Sequence, residues 1–266
     1  MAKMGMLVDV TKCIGCRSCM VACKQWNKLP MDKTSFSGTY QNLPDRTFTT
    51  WRLVEFQEVT ERSGQMNWHM LSHACMHCND APCVKACPVP GAMEQSATGY
   101  VTVDQKKCIG CKYCMVACPF NIPKYNEVSQ TVAKCTFCPS RVENGLTTAC
   151  SKACPTECIT YGKRDDLVAA AKVRVAVMKE RYPNVQTYGI DAYGGKGTNV
   201  IYVLKEKPEF YGLPKEPSTN AVVVWKDVVK PLTGLGLGAT IVGLIAHAAM
   251  RGRDDYRQEK GEVEDE

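Results

Sequence analysis

Four cysteines fall within eleven residues in CIGCRSCMVAC, Cys13 to Cys23, and nearly the same string returns ninety-five residues later as CIGCKYCMVAC, Cys108 to Cys118. Two looser clumps complete the pattern: CMHCNDAPCVKACP carries Cys75, Cys78, Cys83 and Cys87, and CTFCPSRVENGLTTACSKACP carries Cys135, Cys138, Cys150 and Cys154. Every clump closes on Cys-x3-Cys, followed by proline in all but the first, where Lys24 follows Cys23. Of seventeen cysteines in 266 residues only Cys158 stands apart. Whatever this chain folds into must first satisfy sixteen clustered thiols.

Disulfides are a poor answer. The start MAKMGMLVDV carries no apolar signal-peptide core, the cysteine count is odd, and cysteines two residues apart suit convergence on a shared metal better than bridging. Zinc uses Cys-x2-Cys pairs, but a zinc-structured scaffold does not explain four-cysteine runs that end three times in Cys-Pro. C-x2-C-x2-C-x3-C-P is the bacterial ferredoxin run, in which the fourth cysteine ligates the other cluster. The first and third clumps match it, the first lacking only the proline, and no clump lacks a cysteine, so the expected cofactors are four [4Fe-4S] clusters. Gly15 and Gly110 allow the tight loop backbone. Cys158 is expected to be a free buried thiol. So many clusters in so little protein predict a carrier of electrons, with no catalytic residue of its own.

The cofactors change what the charge means. Sixteen thiolates and four oxidised cores of about +2 each turn the formal net charge of +6 into about −2, so the basic surplus offsets cluster charge. With no Lys/Arg run interleaved with aromatics, nucleic acid is not an expected partner. GGKGT lacks the GxxxxGK[ST] order of a phosphate loop, which removes nucleotide binding. His69, His73 and His77 flank the second clump and read as structural or cluster-adjacent.

Around the cysteines, RTFTTWRLVEFQEV (46–59) is rich in strand formers, and RSGQ turns it toward NWHMLS, which predicts a β-hairpin. GYVTVD (99–104) and NVIYVL (199–204) read as strands, and the stretch from Arg164 to Pro183, acidic at its start and basic at its end, as a helix. Pro208, Pro214 and Pro217 mark an extended connector. PLTGLGLGATIVGLIAHAAM, Pro231 to Met250, has twenty residues without a charged side chain, enough to cross a bilayer core as a helix. Its Gly234-x3-Gly238 and Ala239-x3-Gly243 spacings suit close approach of another membrane helix. Lys226 and Lys230 precede it while Arg251, Arg253, Arg257 and Lys260 follow, which places the C-terminus in the cytoplasm. His247 within the span is a candidate haem or quinone contact, or a helix–helix hydrogen bond.

The chain resembles the four-cluster iron-sulfur subunits of molybdopterin oxidoreductases, and within them the β subunits of respiratory formate dehydrogenases. The cysteine pattern is shared with subunits serving dimethyl sulfoxide or polysulfide reductases. ACKQWNKLP, SGTYQNLPD, CPFNIPKYN, GGKGTNVIYVL, YGLPKEP and VVVWKDVVKPL are similar to formate dehydrogenase β in particular. The resemblance implies an α+β fold of tandem ferredoxin-like [4Fe-4S] domains with a β-hairpin insertion and a C-terminal single transmembrane helix. The expected divisions are a first two-cluster domain at 1–30 and 130–165, the hairpin insertion at 31–70, and a second two-cluster domain at 71–129. A helix plus extended docking segment follows at 166–228, then the transmembrane helix at 229–251 and a charged cytoplasmic tail at 252–266.

It also implies the ligand sets: Cys13, Cys16, Cys19 and Cys154; Cys23, Cys135, Cys138 and Cys150; Cys75, Cys78, Cys83 and Cys118; and Cys87, Cys108, Cys111 and Cys114. The implied partners are a molybdenum or tungsten pterin catalytic α subunit and a membrane cytochrome b γ subunit that reduces quinone. The implied setting is the cytoplasmic membrane, with the cluster domain on its outer, periplasmic face after export on the catalytic subunit's twin-arginine signal.

Overall fold

A computed structural model describes residues 2–60, 64, 66–193, 195–218, 221–224, 229 and 232–248. The chain divides into two units, Met1–Asn220 and Ala221–Glu266, and all seventeen cysteines belong to the first.

β1 (Met4–Asp9) has five of its six residues buried and no polar side chain before Asp9, which pairs with Arg174 at 2.8 Å. A strand covered on both faces reads this way, without alternation. Met6 and Val8 pack on the cysteine side with Val54 and Leu71, while Leu7 packs on the other side. The first CIGC loop leads into α1 (Ser18–Trp26). A long antiparallel hairpin follows, β2 (Leu53–Thr60) with β3 (Met66–His73), Leu53 opposite His73.

Strand composition places the start of this hairpin at Arg46, but pairing begins only at Leu53. The threonine-rich segment between them is folded on itself: Thr47 Oγ1 accepts the Thr49 and Thr50 amides at 3.2 and 2.9 Å, and Trp51 Nε1 donates to the Phe48 carbonyl at 2.8 Å. Threonine hydroxyls here offer the backbone a local alternative to the ladder.

The second and third cysteine clumps sit on short elements. α2 (Pro82–Ala86) precedes the hairpin of β4 (Met93–Gln95) and β5 (Val101–Val103), and α3 (Tyr113–Ala117) precedes that of β6 (Lys124–Asn126) and β7 (Thr131–Ala133). Two single-turn helices, α4 (Pro139–Val142) and α5 (Ala149–Lys152), carry the fourth clump.

β8 (Ile159–Lys163) leads directly into α6 (Arg164–Met178), with Asp165 and Asp166 in its first turn. This helix ends short of Pro183, because the Met178 carbonyl already closes a turn with the amides of Arg181 and Tyr182. β9 (Gln186–Tyr188) and β10 (Val200–Leu204) complete a four-stranded sheet in the order β8-β1-β10-β9. β1 runs parallel to β10, with Met6 opposite Val200, and antiparallel to β8. Leu167 and Ala171 of α6 cover Leu7, Ile201 and Val203 on one face, and the opposite face, with Val200, Tyr202 and Leu204, is the wall against which the cysteine regions pack. Pairing the chain's first strand with its last long strand thereby closes the cysteine-bearing loops over a shared core.

Part of the proline-rich connector is a tight 3-10 turn at Pro208–Tyr211, ended by left-handed Gly212. In the second unit α7 (Ala221–Val224) is one short turn and residues 232–248 are helical, with Leu235, Leu237, Val242, Leu244 and Ile245 exposed. Seventeen residues rise about 26 Å. Among the described residues no helix is long and apolar enough to cross a membrane. Pro231 and Met250 at the ends of the expected span lie outside the described residues. So do Lys226, Lys230, Arg251 and the 252–266 tail.

Candidate metal centres

The two CIGC repeats fold alike. Gly15 and Gly110 are left-handed at φ 68° and 67°, and Arg17 and Lys112, two residues on, are left-handed at φ 60° and 63° as they cap α1 and α3. A Cβ at Gly110 would stand 2.3 Å from the Gln130 carbonyl oxygen, so only glycine fits that approach. Left-handed residues in such succession curl amides toward a common concavity, a device of anion and iron-sulfur sites. His77, Phe137, Cys138 and Glu157 are left-handed as well. None of them is glycine, so strained backbone is concentrated in the cysteine loops.

The residue after the fourth cysteine decides how far each helix runs. α2 and α3 have five residues and stop before Cys87-Pro88 and Cys118-Pro119, whereas α1 has nine and continues through Cys23 and Lys24 to Trp26. Proline is disfavoured inside a helix and also pushes the residue before it toward extended backbone, which Cys87 and Cys118 adopt. Lys24 instead stays helical and donates to Asp32 Oδ2 at 2.8 Å and to the Pro30 and Thr49 carbonyls at 3.0 Å each, fastening the segment that follows α1.

The cysteines surround cavities. Cys87, Cys108, Cys111 and Cys114 line one, with Met93, Val103 and Val132. Cys13, Cys16, Cys19 and Cys154 line another, with Val54, Ser72 and Cys158. Two further groupings are packed closely enough for their thiols to interact: Cys78 with Cys75, Cys83 and Cys118, and Cys23 with Cys135, Cys138 and Cys150. Among the described residues no three of His, Cys, Asp and Glu meet tightly enough to hold a single metal ion. Thiols standing around a space, and not about a point, match the demand of a multi-atom core.

Adjacent groupings touch in sequence. Cys19 interacts with Cys150, Cys135 with Cys75, and Cys83 with Cys114, so each grouping has a neighbour in the next. At one end of this row Cys16 is exposed and Cys13 and Cys154 are half-buried; at the other Cys87, Cys108 and Cys111 are half-buried. In the two middle groupings every cysteine is buried except half-buried Cys118. Burial pushes the thiols of Cys19, Cys135 and Cys138 up to about 11 and that of Cys114 to about 12, and it raises Cys23, Cys75, Cys78, Cys83 and Cys118 as well. Thiolate is the ligating form, so these sites call for positive charge to be brought to them, as an iron-sulfur core does. Arg52 Nε and His77 Nε2, buried donors without partners near these thiols, call for an acceptor in the same place. The residues present therefore fit [4Fe-4S] clusters.

Family models described as "4Fe-4S dicluster domain" match residues 12–92 and 66–164, and one described as "Formate dehydrogenase N, transmembrane" matches residues 220–260. Over 251 residues the chain is 42% identical to the "Formate dehydrogenase, nitrate-inducible, iron-sulfur subunit" of Escherichia coli (strain K12), covering 92% of this chain and 84% of the relative. The chain belongs to the formate dehydrogenase iron-sulfur subunits. The "Formate dehydrogenase-O iron-sulfur subunit" of the same organism is 40% identical over 265 residues, 98% of this chain and 87% of the relative. "Formate dehydrogenase 2 subunit beta (cytochrome c-553)" of Nitratidesulfovibrio vulgaris (strain ATCC 29579) is 34% identical over 212 residues, 77% of this chain and 94% of the relative. As a member of the family, this iron-sulfur subunit is a non-catalytic electron-transfer component built from tandem 4Fe-4S ferredoxin-like domains of mixed α and β content.

His69, His73 and His77 of the iron-sulfur subunit are structural partners. His77 Nδ1 accepts the Val101 amide at 2.9 Å, His73 Nδ1 lies 2.7 Å from Arg46, and His69 sets its ring edge against Phe210. His247 is exposed on the 232–248 helix of the second unit. Cys158 is the free buried thiol that the sequence leads one to expect, whereas three polar residues around the cysteines carry no signal in the sequence. Cys158 is buried and lines the cavity of Cys13, and the coupling of the two thiols lowers that of Cys13 while raising its own. Arg52, Ser72 and Lys134 are buried polar residues reaching the cysteine regions from the residue just before β2, from β3 and from the loop after β7. Arg52 lies in the stretch that strand composition describes, between Trp51 and Leu53, where alternation would point it away from its apolar neighbours.

Proposed function

We propose that this subunit carries electrons from a molybdenum- or tungsten-pterin subunit that oxidises formate, through four [4Fe-4S] sites, to a quinone-reducing cytochrome b in the membrane. The ligands are Cys13, Cys16, Cys19 and Cys154 for one site and Cys23, Cys135, Cys138 and Cys150 for its neighbour. Cys75, Cys78, Cys83 and Cys118 hold the third, and Cys87, Cys108, Cys111 and Cys114 the last. The carrying observation is the unbroken row of cysteine groupings, buried in the middle and nearer the surface at both ends. A relay between two partners needs that arrangement: insulated inner stations, and one reachable station for each partner. When bound, the clusters supply one-electron carriers. The chain's own residues hold them by thiolate, shape the loops with Gly15 and Gly110, and exclude water with Met93, Val103 and Val132 on one side and Val54 on the other.

In this reading 1–30 with 130–165 and 71–129 are the two cluster domains, and 31–70 is the hairpin insertion. The 166–228 segment docks on the partners, and 229–251 crosses the membrane, leaving 252–266 in the cytoplasm and the cluster domain on the outer face. Support for the anchor comes from the family match at 220–260 and the exposed apolar side chains of 232–248. The same placement puts His247 within reach of a haem or quinone.

The test is anaerobic isolation of the complex through a tag on this chain, followed by formate. About sixteen irons per chain and bleaching of the brown absorbance by formate are expected. Markedly less iron overturns the four-site assignment; bleaching by dithionite alone, in a complex whose catalytic subunit is active, overturns formate as the electron source. Deleting residues 231–266 is expected to release the complex from membranes. A truncated chain that still sediments without any other membrane subunit overturns the anchor.

A further inference from the structure

Two buried cations lie in the cysteine regions with no carboxylate beside them. Arg52 is 2% exposed and Lys134 is 3% exposed, and among the described residues neither pairs with Asp or Glu. Buried Arg46 shows the ordinary solution, with Glu55 at 2.5 Å and Asp45 at 3.0 Å. Arg52 has only neutral partners: it donates to Ser72 Oγ at 2.9 Å, to the Ser72 carbonyl at 3.3 Å and to Met6 Sδ at 3.1 Å, and its Nε has none. Lys134 donates to the carbonyls of Val101 and Cys135, the latter at 3.1 Å. Neutral acceptors satisfy hydrogen bonds but not charge, and a buried unpaired ion is strongly disfavoured.

The nearest source of negative charge is the thiols. Arg52 interacts with Cys150, Cys19 and Cys135, and through Ser72 Oγ, 3.3 Å from Cys19 Sγ, it is one atom removed from a proposed ligand. Lys134 adjoins Cys135 in sequence and interacts with Cys75, Cys83 and Cys118. One cation therefore stands where the first and second cysteine groupings meet, and the other where the second and third meet.

We propose that Arg52 and Lys134 are the fixed counter-charges of the inner iron-sulfur sites, raising their reduction potentials so that an electron entering at one exposed end is drawn into the interior of the relay. This rests on the four-site reading above. Reducing a site adds one electron and makes or breaks no bond, so a nearby fixed positive charge favours the reduced state. Both residues are positioning residues: they touch no substrate and act through the field at the sites.

The experiment is an EPR-monitored redox titration of the anaerobically purified intact complex, with iron counted in each sample. Arg52→Met and Lys134→Met are expected to keep full iron and to shift the one-electron equilibrium of at least one cluster tenfold or more toward the oxidised form, 59 mV lower. Arg52→Lys, which retains the charge, is expected to recover most of the shift. Should a methionine variant fail to assemble, Arg52→Gln and Lys134→Gln, which drop the charge but keep a hydrogen-bonding side chain, carry the same measurement. Full iron with all midpoints unmoved in the neutral variants overturns the counter-charge role and leaves the relay standing. Iron well below sixteen in the unaltered complex overturns the four-site reading, and this inference with it.

Discussion

Ser72 Oγ lies 3.3 Å from Cys19 Sγ. The same hydroxyl accepts a hydrogen bond from Arg52 at 2.9 Å, which fills an oxygen lone pair and leaves its proton free for the sulfur. Donation to a ligating sulfur favours the more negative, reduced state. Ser72→Ala is therefore expected to lower the midpoint of the cluster that Cys19 serves, by about tenfold in its one-electron equilibrium or ~59 mV. Ser72→Thr keeps the hydroxyl and is expected to leave the midpoint close to its original value. Redox titration of both variants decides the matter.

Cys158 bears on the same cavity from the opposite side of the ligand question. It lines the space with Cys13, Cys16, Cys19 and Cys154, the four thiols proposed above as the ligands of one site, and so is proposed to be a fifth, non-ligating thiol there. Cys158→Ala is expected to retain the full iron content and all cluster EPR signals. Cys154→Ala is expected to lose the signal of one cluster. A loss of about four irons in Cys158→Ala would make Cys158 a ligand and displace one of the others.

The cysteine groupings are legible because cysteine spacing is local: three thiols within seven residues announce themselves whatever the distant chain does. What stayed hidden depends on distant pairing. MGMLVD is too short to show a period, and its burial on both faces follows from distant elements, the cysteine regions on one side and Leu167 and Ala171 on the other. Arg52 sits between Trp51 and Leu53 in a run of strand formers, and nothing local says that its guanidinium turns toward Ser72 across the hairpin. Composition starts β2 seven residues early, at Arg46, because Thr47, Thr49 and Thr50 count as strand formers. Here their hydroxyls bond Asp32 and their own turn instead.

Arg46, Glu55 and His73 form a buried group at the base of the hairpin. Arg46 donates to Glu55 Oε1 at 2.5 Å and to His73 Nδ1 at 2.7 Å. Burial opposes the Glu55 carboxylate, but the charge and hydrogen bond of Arg46 beside it hold its carboxyl below the usual range; burial, with the Arg46 charge, lowers His73 and keeps it neutral at pH 7. Because the folded value for Glu55 is depressed, its contribution to stability is present above the ordinary carboxylate value of about 4.3 and is lost as pH falls through the lower, folded one. Glu55→Gln is expected to cost about 3 kcal/mol by stripping buried Arg46 of its main counter-ion, and to flatten the acid limb of an apparent Tm profile below pH 5. An unchanged acid limb would assign that limb to other carboxylates.

The one fourth cysteine followed by lysine belongs to the one helix of its kind that must continue. Lys24 lies within the last turn of α1, and its ammonium reaches Asp32, itself held by Thr47, Thr49 and Thr50. Through Asp32 a single side chain joins the first cysteine helix to both ends of the segment from Pro30 to Thr50, which otherwise has little regular structure. Lys24→Met removes the ion pair and two carbonyl contacts without altering helix length. It is expected to cost about 1–2 kcal/mol locally, seen as roughly tenfold faster proteolysis within 31–49, with cluster content unchanged. Lys24→Pro does more. It stops α1 at Cys23 as Pro119 stops α3 at Cys118, and so is expected to free the same segment and also turn the exit path of Cys23. Faster cleavage in both variants, with a perturbed cluster signal only in the proline variant, would separate the anchoring role of lysine from the backbone direction that helix continuation imposes on the ligand. Equal cluster signals in the two would mean that the ligand tolerates either exit, and that lysine at this position serves the insertion alone.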